Sequence, residues 1–158
     1  QTLDWLLEAG TPDWEGQSAE AVQEIIIGAR TRSVEAWWQG LPGGESLEGF
    51  VERIGSGLDA ALIALGAERG SGPSALGLWP RLPAQGRYLV VCHAGTTSAA
   101  ISHLLGLQQV PWAWERLAVG HASLSQLQTT AIAEGAIFSL RTLGDDAHLH
   151  ALESATGT

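Results

Sequence analysis

A short apolar run that ends at a histidine constrains the fold of this chain more than any other stretch. Tyr88–Cys92 is apolar and rich in valine, and His93 follows it directly. Such a run is typical of a strand that is covered on both faces, as in a parallel sheet. A helix is predicted after a small-residue turn, over residues 99–105, with one of the hydroxyl side chains at 96–98 as its N-cap. The sequence therefore predicts an α/β fold with a mainly parallel central sheet.

The position of His93 predicts contact with a phosphate group. A polar residue at the carboxyl end of a parallel strand lies where open α/β sheets bind ligands. The free N–H groups and the dipole of the following helix favour an anion at the same place. The turn at Ala94 and Gly95 lets the backbone come close to a ligand. The alternative is a histidine that merely ends the strand with its polar groups satisfied.

Composition limits the classes of function. The chain has 158 residues, of which 45% are hydrophobic and 16% are charged, so one globular domain over residues 1–158 is expected. A net charge of −9 without any lysine argues against nucleic acid as a partner. The sequence contains no stretch that could span a membrane, and its one cysteine fits a reducing compartment, so a cytoplasmic protein is expected. Because the chain has no methionine and begins with Gln1, we expect a processed form or a piece of a longer chain.

Helices are predicted on both sides of a glycine-rich break at residues 41–44. The first is expected over residues 18–39 with Ser18 as its N-cap, and the second begins after Ser46 with apolar residues every three or four positions. Residues 70–86 are expected to form a surface connection, and residues 144–158 a polar tail that frays. Two strands, at 122–129 and 136–142, are predicted around a turn at 133–135.

Several other side chains could carry chemistry. Cys92 lacks the arginine six positions later that a cysteine phosphatase loop needs, so a buried structural role is expected for it. Glu8 and Glu15 lie in a loop rich in glycine and proline, where a carboxylate is usually solvated but could serve as a general acid. Trp112 and Trp114 are packing anchors that could also line the cleft.

No metal or nucleotide site is predicted. His121, His148 and His150 have no spacing typical of zinc ligands. Neither of the glycine-rich nucleotide-binding motifs, GxxxxGK[ST] or GxGxxG, occurs in the chain. Any phosphate site must therefore rely on local groups, since the chain as a whole is acidic.

Five separated segments occur in the order known from one enzyme family. They are Leu7-Glu8 with Trp14-Glu15-Gly16, Pro42-Gly43-Gly44-Glu45-Ser46 with Arg53, Leu89–Thr96, Gly120-His121-Ala122-Ser123, and Asp145-Asp146-Ala147-His148-Leu149. Together they resemble the histidine phosphatase superfamily, the phosphoglycerate mutase-like group. The resemblance implies a three-layer α/β/α fold with a mainly parallel central sheet. It covers roughly the last two-thirds of the family fold, and no Arg-His-Gly motif, which holds the family's nucleophilic histidine, occurs in these 158 residues.

The resemblance also implies roles for individual residues. Glu8 matches the family's proton donor and acceptor. His93 matches the second histidine, which binds the transferring phosphoryl group. The backbone N–H groups of Ala94 and Gly95 are implied to bind the same group, although Ala94 replaces a glycine of the family's motif. Glu45 is implied to be structural, holding the loop and the start of the helix.

The function implied is hydrolysis of small phosphate monoesters through a phosphohistidine, without a metal or an organic cofactor. The short helical region favours a phosphatase over a mutase. On this interpretation residues 1–158 alone are inactive, because the nucleophile lies outside them. The alternatives are a mutase-type phosphoryl transfer, a non-catalytic relative that binds phosphorylated ligands or a protein partner, and a structural subunit that accepts a strand of another chain. The expected partner is a small phosphorylated substrate, with no nucleic acid or membrane, and a homodimer is possible.

Overall fold

The computed structural model describes residues 1–70, 77–83 and 86–150. Parts of the predicted surface connection (71–76 and 84–85) and of the predicted polar tail (151–158) lie outside the described residues. A short 3-10 helix, Asp4–Leu6, comes first. The regular elements that follow are α1 (Ala19–Ala29), α2 (Val34–Trp38), α3 (Leu47–Ala64), α4 (Ala94–Leu104), α5 (Ala113–Arg116), β1 (Leu124–Ile132) and β2 (Gly135–Asp145).

The single helix predicted over residues 18–39 is wrong in one respect, because two helices, α1 and α2, occupy this stretch. Ser18 caps α1 as predicted, with its Oγ accepting from the N–H of Ala21 at 3.2 Å. The break comes where Ser33 caps α2 in the same way, through the N–H of Ala36 at 3.3 Å. Ser33 has extended backbone angles, so a helix cannot continue through it. Its side chain then binds a free N–H of the next helix, which begins directly after it.

Helices α3 and α4 form the centre of the molecule. Their contact contains the main buried cluster, made of Phe50, Ile54, Leu58 and Ala99. Ser46 caps α3 as predicted, accepting from the N–H of Gly49 at 3.1 Å. The indole ring of Trp5 lies against α3 at Gly57, where a Cβ atom would overlap the ring, so the 3-10 helix can pack closely on α3. Within the described parts of the chain, no helix is both long enough and apolar enough to span a bilayer.

A second contact between these helices is polar. The Nε2 atom of His103, near the end of α4, lies 2.7 Å from the Oδ1 atom of Asp59 on α3. Burial lowers the pKa of His103 to about 4, and the nearby charge of Arg69 acts in the same direction. Because Arg69 already pairs with Asp59, the charge of this carboxylate is largely balanced and does not favour a second proton on the ring. His103 is therefore a neutral packing residue at pH 7.

The predicted hairpin is confirmed, and its strands are longer than the sequence indicated. β1 and β2 pair antiparallel from Ile132 opposite Gly135 to Leu124 opposite Asp145, with irregular pairing near Gln126. Ala133, in the turn, has a φ of 49°, the left-handed value that short hairpin turns require. Trp79 pairs with Ala136 through two backbone hydrogen bonds of 2.8 and 2.9 Å, which joins the hairpin to the preceding segment.

The strand predicted at Tyr88–Cys92 does not form among the described residues, so this prediction is not confirmed there. The segment has no regular secondary structure, and its apolar side chains are exposed, Leu89 at 84% and Val91 at 82%. A strand exists only through hydrogen bonds to a neighbouring backbone, and none of the described residues supplies them to residues 88–92. The sheet formed by the described residues is the antiparallel hairpin, so the mainly parallel central sheet is not confirmed.

Candidate functional site

The start of α4 differs from the sequence-based expectation. The helix begins at Ala94, and His93 is its N-cap residue with extended backbone angles and no side-chain capping bond. The predicted caps at positions 96–98 therefore lie inside the first turns. There Thr97 Oγ1 donates to the carbonyl of His93 at 2.8 Å, and Ser98 Oγ donates to the carbonyl of Ala94 at 2.8 Å. As a result, neither His93 nor the hydroxyl groups of the first turns bind the free N–H groups at the start of α4.

The carboxylate of Glu8 occupies this helix terminus. Its Oε2 atom accepts a hydrogen bond of 2.8 Å from the N–H of Gly95, and its Oε1 atom accepts one of 3.0 Å from the N–H of Ala9. A Cβ atom at position 95 would overlap the Glu8 carboxylate, so the glycine makes this approach possible. The helix dipole stabilises the negative charge at the same point. Glu8 and Gly95, 87 positions apart in the chain, are thus in direct contact.

A threonine of α4 also binds the backbone just before Glu8. Thr96 is fully buried, and its Oγ1 atom lies 3.1 Å from the carbonyl of Leu7 and 3.4 Å from that of Leu6, to which it donates. From the sequence, only a capping role is predicted for this residue. A buried hydroxyl needs a hydrogen-bond partner, and the irregular segment before Glu8 offers unpaired carbonyls.

His93 lies beside this contact with its side chain exposed. Among the described residues, no side chain or backbone group hydrogen-bonds the imidazole ring, whose own backbone carbonyl accepts from Thr97 at 2.8 Å. The ring is therefore free to bind a ligand. His93 is two positions before Gly95, and the N–H of Gly95 binds the Glu8 carboxylate. Glu8, His93 and Gly95 therefore lie at the same helix terminus. The N–H of Ala94 has no partner in the described part of the chain either.

A half-buried ion pair lies next to the segment that carries Glu8. Arg53 of α3 and Glu45 of the preceding loop form a two-pronged salt bridge, with Nη2 to Oε2 at 2.7 Å and Nε to Oε1 at 2.9 Å. The hydrogen bonds from Arg53 lower the pKa of Glu45, against an opposing effect of burial. Glu45 in turn raises the pKa of Arg53, and the charge of Glu8 adds to this effect. Both groups are charged at neutral pH.

The other candidates lie outside this contact. Cys92 is half-buried, and its Sγ atom is 3.3 Å from Thr97 Oγ1. Glu15 is exposed, with its backbone N–H bonded to Asp13. Trp112 and Trp114 pack around Trp37, with ring centres 6.0 and 6.2 Å apart.

Two cavities lie near these elements without including Glu8 or His93. One of about 350 Å³ is lined by Trp37 and Trp112 together with Arg30 and Arg32. The other, of about 650 Å³, lies between α2, α3 and α4 next to Asp59 and His103.

The arrangement offers the groups that phosphoryl transfer uses. That reaction needs positioned donors around the phosphoryl oxygens and a group that exchanges a proton with the leaving or attacking oxygen. The exposed imidazole of His93 and the free N–H of Ala94 are donors at a helix N-terminus. Glu8 is a carboxylic group next to them. Because the N–H of Gly95 is bonded to Glu8, its contribution here is to hold that carboxylate.

Comparison with known proteins gives the family. The model of the histidine phosphatase superfamily (branch 1) matches residues 1–136, which is most of the chain. A search among curated proteins found no match. The match contains the segments that carry Glu8, Glu45 and His93, and the family's fold is of the α/β class. The chain therefore belongs to the histidine phosphatase superfamily, branch 1.

Proposed function

We propose that this protein is a phosphatase that hydrolyses small phosphate monoesters through a phosphohistidine intermediate. The observation that supports this most is the Glu8 carboxylate held by the N–H of Gly95 at 2.8 Å, at the helix terminus where the exposed residue His93 is the N-cap. Membership of the superfamily supports phosphoryl-transfer chemistry in general. The nucleophilic histidine is proposed to come from an Arg-His-Gly segment outside residues 1–158, since no such motif occurs within them.

In the first proposed step, the nucleophilic imidazole nitrogen attacks phosphorus and the bond between phosphorus and the leaving oxygen breaks. Glu8, protonated for this step against the two hydrogen bonds and the helix dipole that favour its ionised form, gives its proton to that oxygen, so the product leaves as a neutral alcohol. His93 and the N–H of Ala94 bind the equatorial oxygens, where negative charge is greatest in the transition state. The N-terminal dipole of α4 favours the same charge.

In the second proposed step, water attacks the phosphohistidine. Its proton passes to the Glu8 carboxylate, the phosphorus–nitrogen bond breaks, and phosphate is released with the histidine restored. Glu8 thus returns to the protonated form in which it began, and no net proton is lost from the protein. The two roles require one carboxyl group that remains at a fixed place throughout, and the hydrogen bonds from Gly95 and Ala9 support this requirement.

We further propose that Tyr88–Cys92 becomes a central strand of a parallel sheet in the complete protein. The segment leads directly into His93, and its apolar side chains are exposed on both faces, with Leu89 at 84% on one face and Val90 at 52% on the other. Neighbouring strands would cover these side chains, which accounts for a run that is apolar at every position. They would also fix the position of His93 relative to the nucleophile.

The complete protein is expected to hydrolyse p-nitrophenyl phosphate, whereas purified residues 1–158 are expected to show essentially no turnover. The difference follows from the proposed origin of the nucleophile outside these residues. Release of nitrophenolate, measured by absorbance with both proteins at equal concentration, tests the prediction. Robust hydrolysis by residues 1–158 would show that the nucleophile lies among them, and this part of the proposal would then fail.

Two other functions would give different results when phosphate release and binding are measured for the same complete protein. Transfer of the phosphoryl group to a second alcohol, at the expense of phosphate release, would indicate a mutase. Binding of phosphate monoesters by the complete protein without turnover would indicate a non-catalytic relative. The absence of Arg-His-Gly from residues 1–158 favours this last outcome only if the gene encodes no such motif upstream.

A further inference from the structure

We infer that Arg53 and Glu45 are positioning residues for the general acid Glu8, an inference that rests on the proposed function. Glu8 lies in a segment without regular secondary structure, between the 3-10 helix and the loop that leads to α1. Nothing in the backbone pattern of that segment fixes where its side chain points. Its position must therefore be set by contacts with other elements: Gly95 of α4 binds the carboxylate, and one guanidinium group binds the backbone of the segment.

Arg53 donates hydrogen bonds to three backbone carbonyls at or just before Glu8. Its Nη1 atom donates to the carbonyl of Trp5 at 2.9 Å and to that of Leu7 at 3.1 Å. Its Nη2 atom reaches the carbonyl of Glu8 itself at 3.4 Å. A planar group with several N–H donors is the side chain that can bind these carbonyls together.

Glu45 orients that guanidinium and also binds the far end of the same segment. Its carboxylate accepts from Nε and Nη2 of Arg53, and its Oε2 atom also accepts from the N–H of Gly10 at 3.0 Å. The N–H of Glu45 donates to the carbonyl of Gly10 at 2.8 Å. The backbone is therefore bound on both sides of Glu8. The close approach depends on Gly44, where a Cβ atom would lie 2.7 Å from the Gly10 carbonyl.

The guanidinium group of Arg53 packs against the core of the protein. The Arg53 guanidinium lies 5.3 Å from the ring centre of Phe50, which is only 1% exposed and belongs to the core between α3 and α4. About a quarter of each side chain is exposed, 28% for Arg53 and 26% for Glu45. Since α4 holds Glu8 through Gly95 and α3 holds its backbone through Arg53, the carboxylate is located between two packed helices.

The test compares Arg53→Met, Arg53→Lys and Glu45→Gln in the complete protein with the matched control Arg69→Met. Arg69 also pairs with a carboxylate of α3, Asp59, but does not contact the Glu8 segment. Two measurements are made. The first is hydrogen–deuterium exchange of the backbone at residues 5–10 and 94–95. The second is kcat and KM with p-nitrophenyl phosphate and with an alkyl phosphate, whose poor leaving group depends far more on proton donation.

A displaced Glu8 should lower kcat for the alkyl phosphate by up to about 10²-fold, with a smaller loss for p-nitrophenyl phosphate and little change in KM. Exchange at residues 5–10 and 94–95 should rise in Arg53→Met and Glu45→Gln but not in Arg69→Met. Arg53→Lys should not restore either property, because an ammonium group cannot bind Glu45 in two places while bonding three carbonyls. Rescue by lysine would show that only the positive charge matters and would overturn the inference.

Two further results separate this inference from the proposed function. Unchanged exchange in Arg53→Met and Glu45→Gln would overturn the positioning role, whatever the protein's activity. Equal loss of kcat for both substrates would also contradict it, since that result indicates a general structural effect. If the exchange responds as expected while the complete protein hydrolyses neither substrate, the proposed function fails and the structural role of the pair stands.

Discussion

Replacing His93 by alanine in the complete protein is expected to lower kcat for phosphate monoesters by about 10²–10³-fold, the usual loss when one preorganised donor to transition-state charge is removed. The imidazole is exposed and without a hydrogen-bond partner among the described residues, so its removal leaves no buried group unsatisfied. The free energy of unfolding should therefore change by less than about 0.5 kcal/mol, as for other surface substitutions. Steady-state kinetics and urea denaturation of the same preparation measure the two quantities.

The control for this variant is His148→Ala. His148 is an exposed histidine that follows β2 in the sequence and is far along the chain from α4. Its removal should leave kcat within the error of the measurement. Near-normal turnover in His93→Ala would end the role assigned to that ring, whereas an equal loss in both variants would point to a nonspecific effect.

Glu8→Gln is expected to lower kcat for alkyl phosphates by about 10²–10⁴-fold, the range for loss of a general acid–base group. The amide keeps an oxygen that can accept from the N–H of Gly95, so the helix terminus remains capped. It cannot transfer a proton to the leaving oxygen. The loss with p-nitrophenyl phosphate should be smaller, because nitrophenolate leaves without a proton. Kinetics with both substrates measure the difference.

Glu15→Gln is the matched control, since Glu15 belongs to the same irregular segment but is exposed. It should leave both reactions unchanged. If Glu8→Gln lost the same factor with both substrates, proton donation to the leaving group would not be the function of Glu8. If it lost nothing, the carboxylate would serve only to cap α4.

The sequence predicted the parts of this fold that depend on local patterns. The caps at Ser18 and Ser46 and the hairpin around Ala133 follow from side-chain chemistry within a few residues. The break between α1 and α2 was missed because Ser33 lies inside a long helix-compatible stretch and reads as an ordinary polar residue. The signal that the sequence contains is Ser33 followed two positions later by Glu35, a capping residue with an acidic residue in the first turn after it.

Contacts between distant segments could not be obtained from local patterns. The strand at Tyr88–Cys92 was predicted from its apolar composition, but strand formation depends on neighbours that composition does not specify. The capping role given to residues 96–98 was wrong because the helix starts earlier, at Ala94. Glu8 and His93 were singled out from motifs of a family, while their proximity through Gly95 comes only from the structure.

The proposed phosphohistidine can be trapped and identified in the complete protein. The complete protein is mixed with a phosphate monoester, quenched in base, and digested for mass spectrometry. We expect a phosphoryl group on a histidine outside residues 1–158, stable in base and lost in acid. It should accumulate to a higher level in Glu8→Gln if that variant slows hydrolysis more than transfer. Turnover without any phosphohistidine, or a phosphoryl group on Cys92 or on a histidine within residues 1–158, would contradict the proposed mechanism.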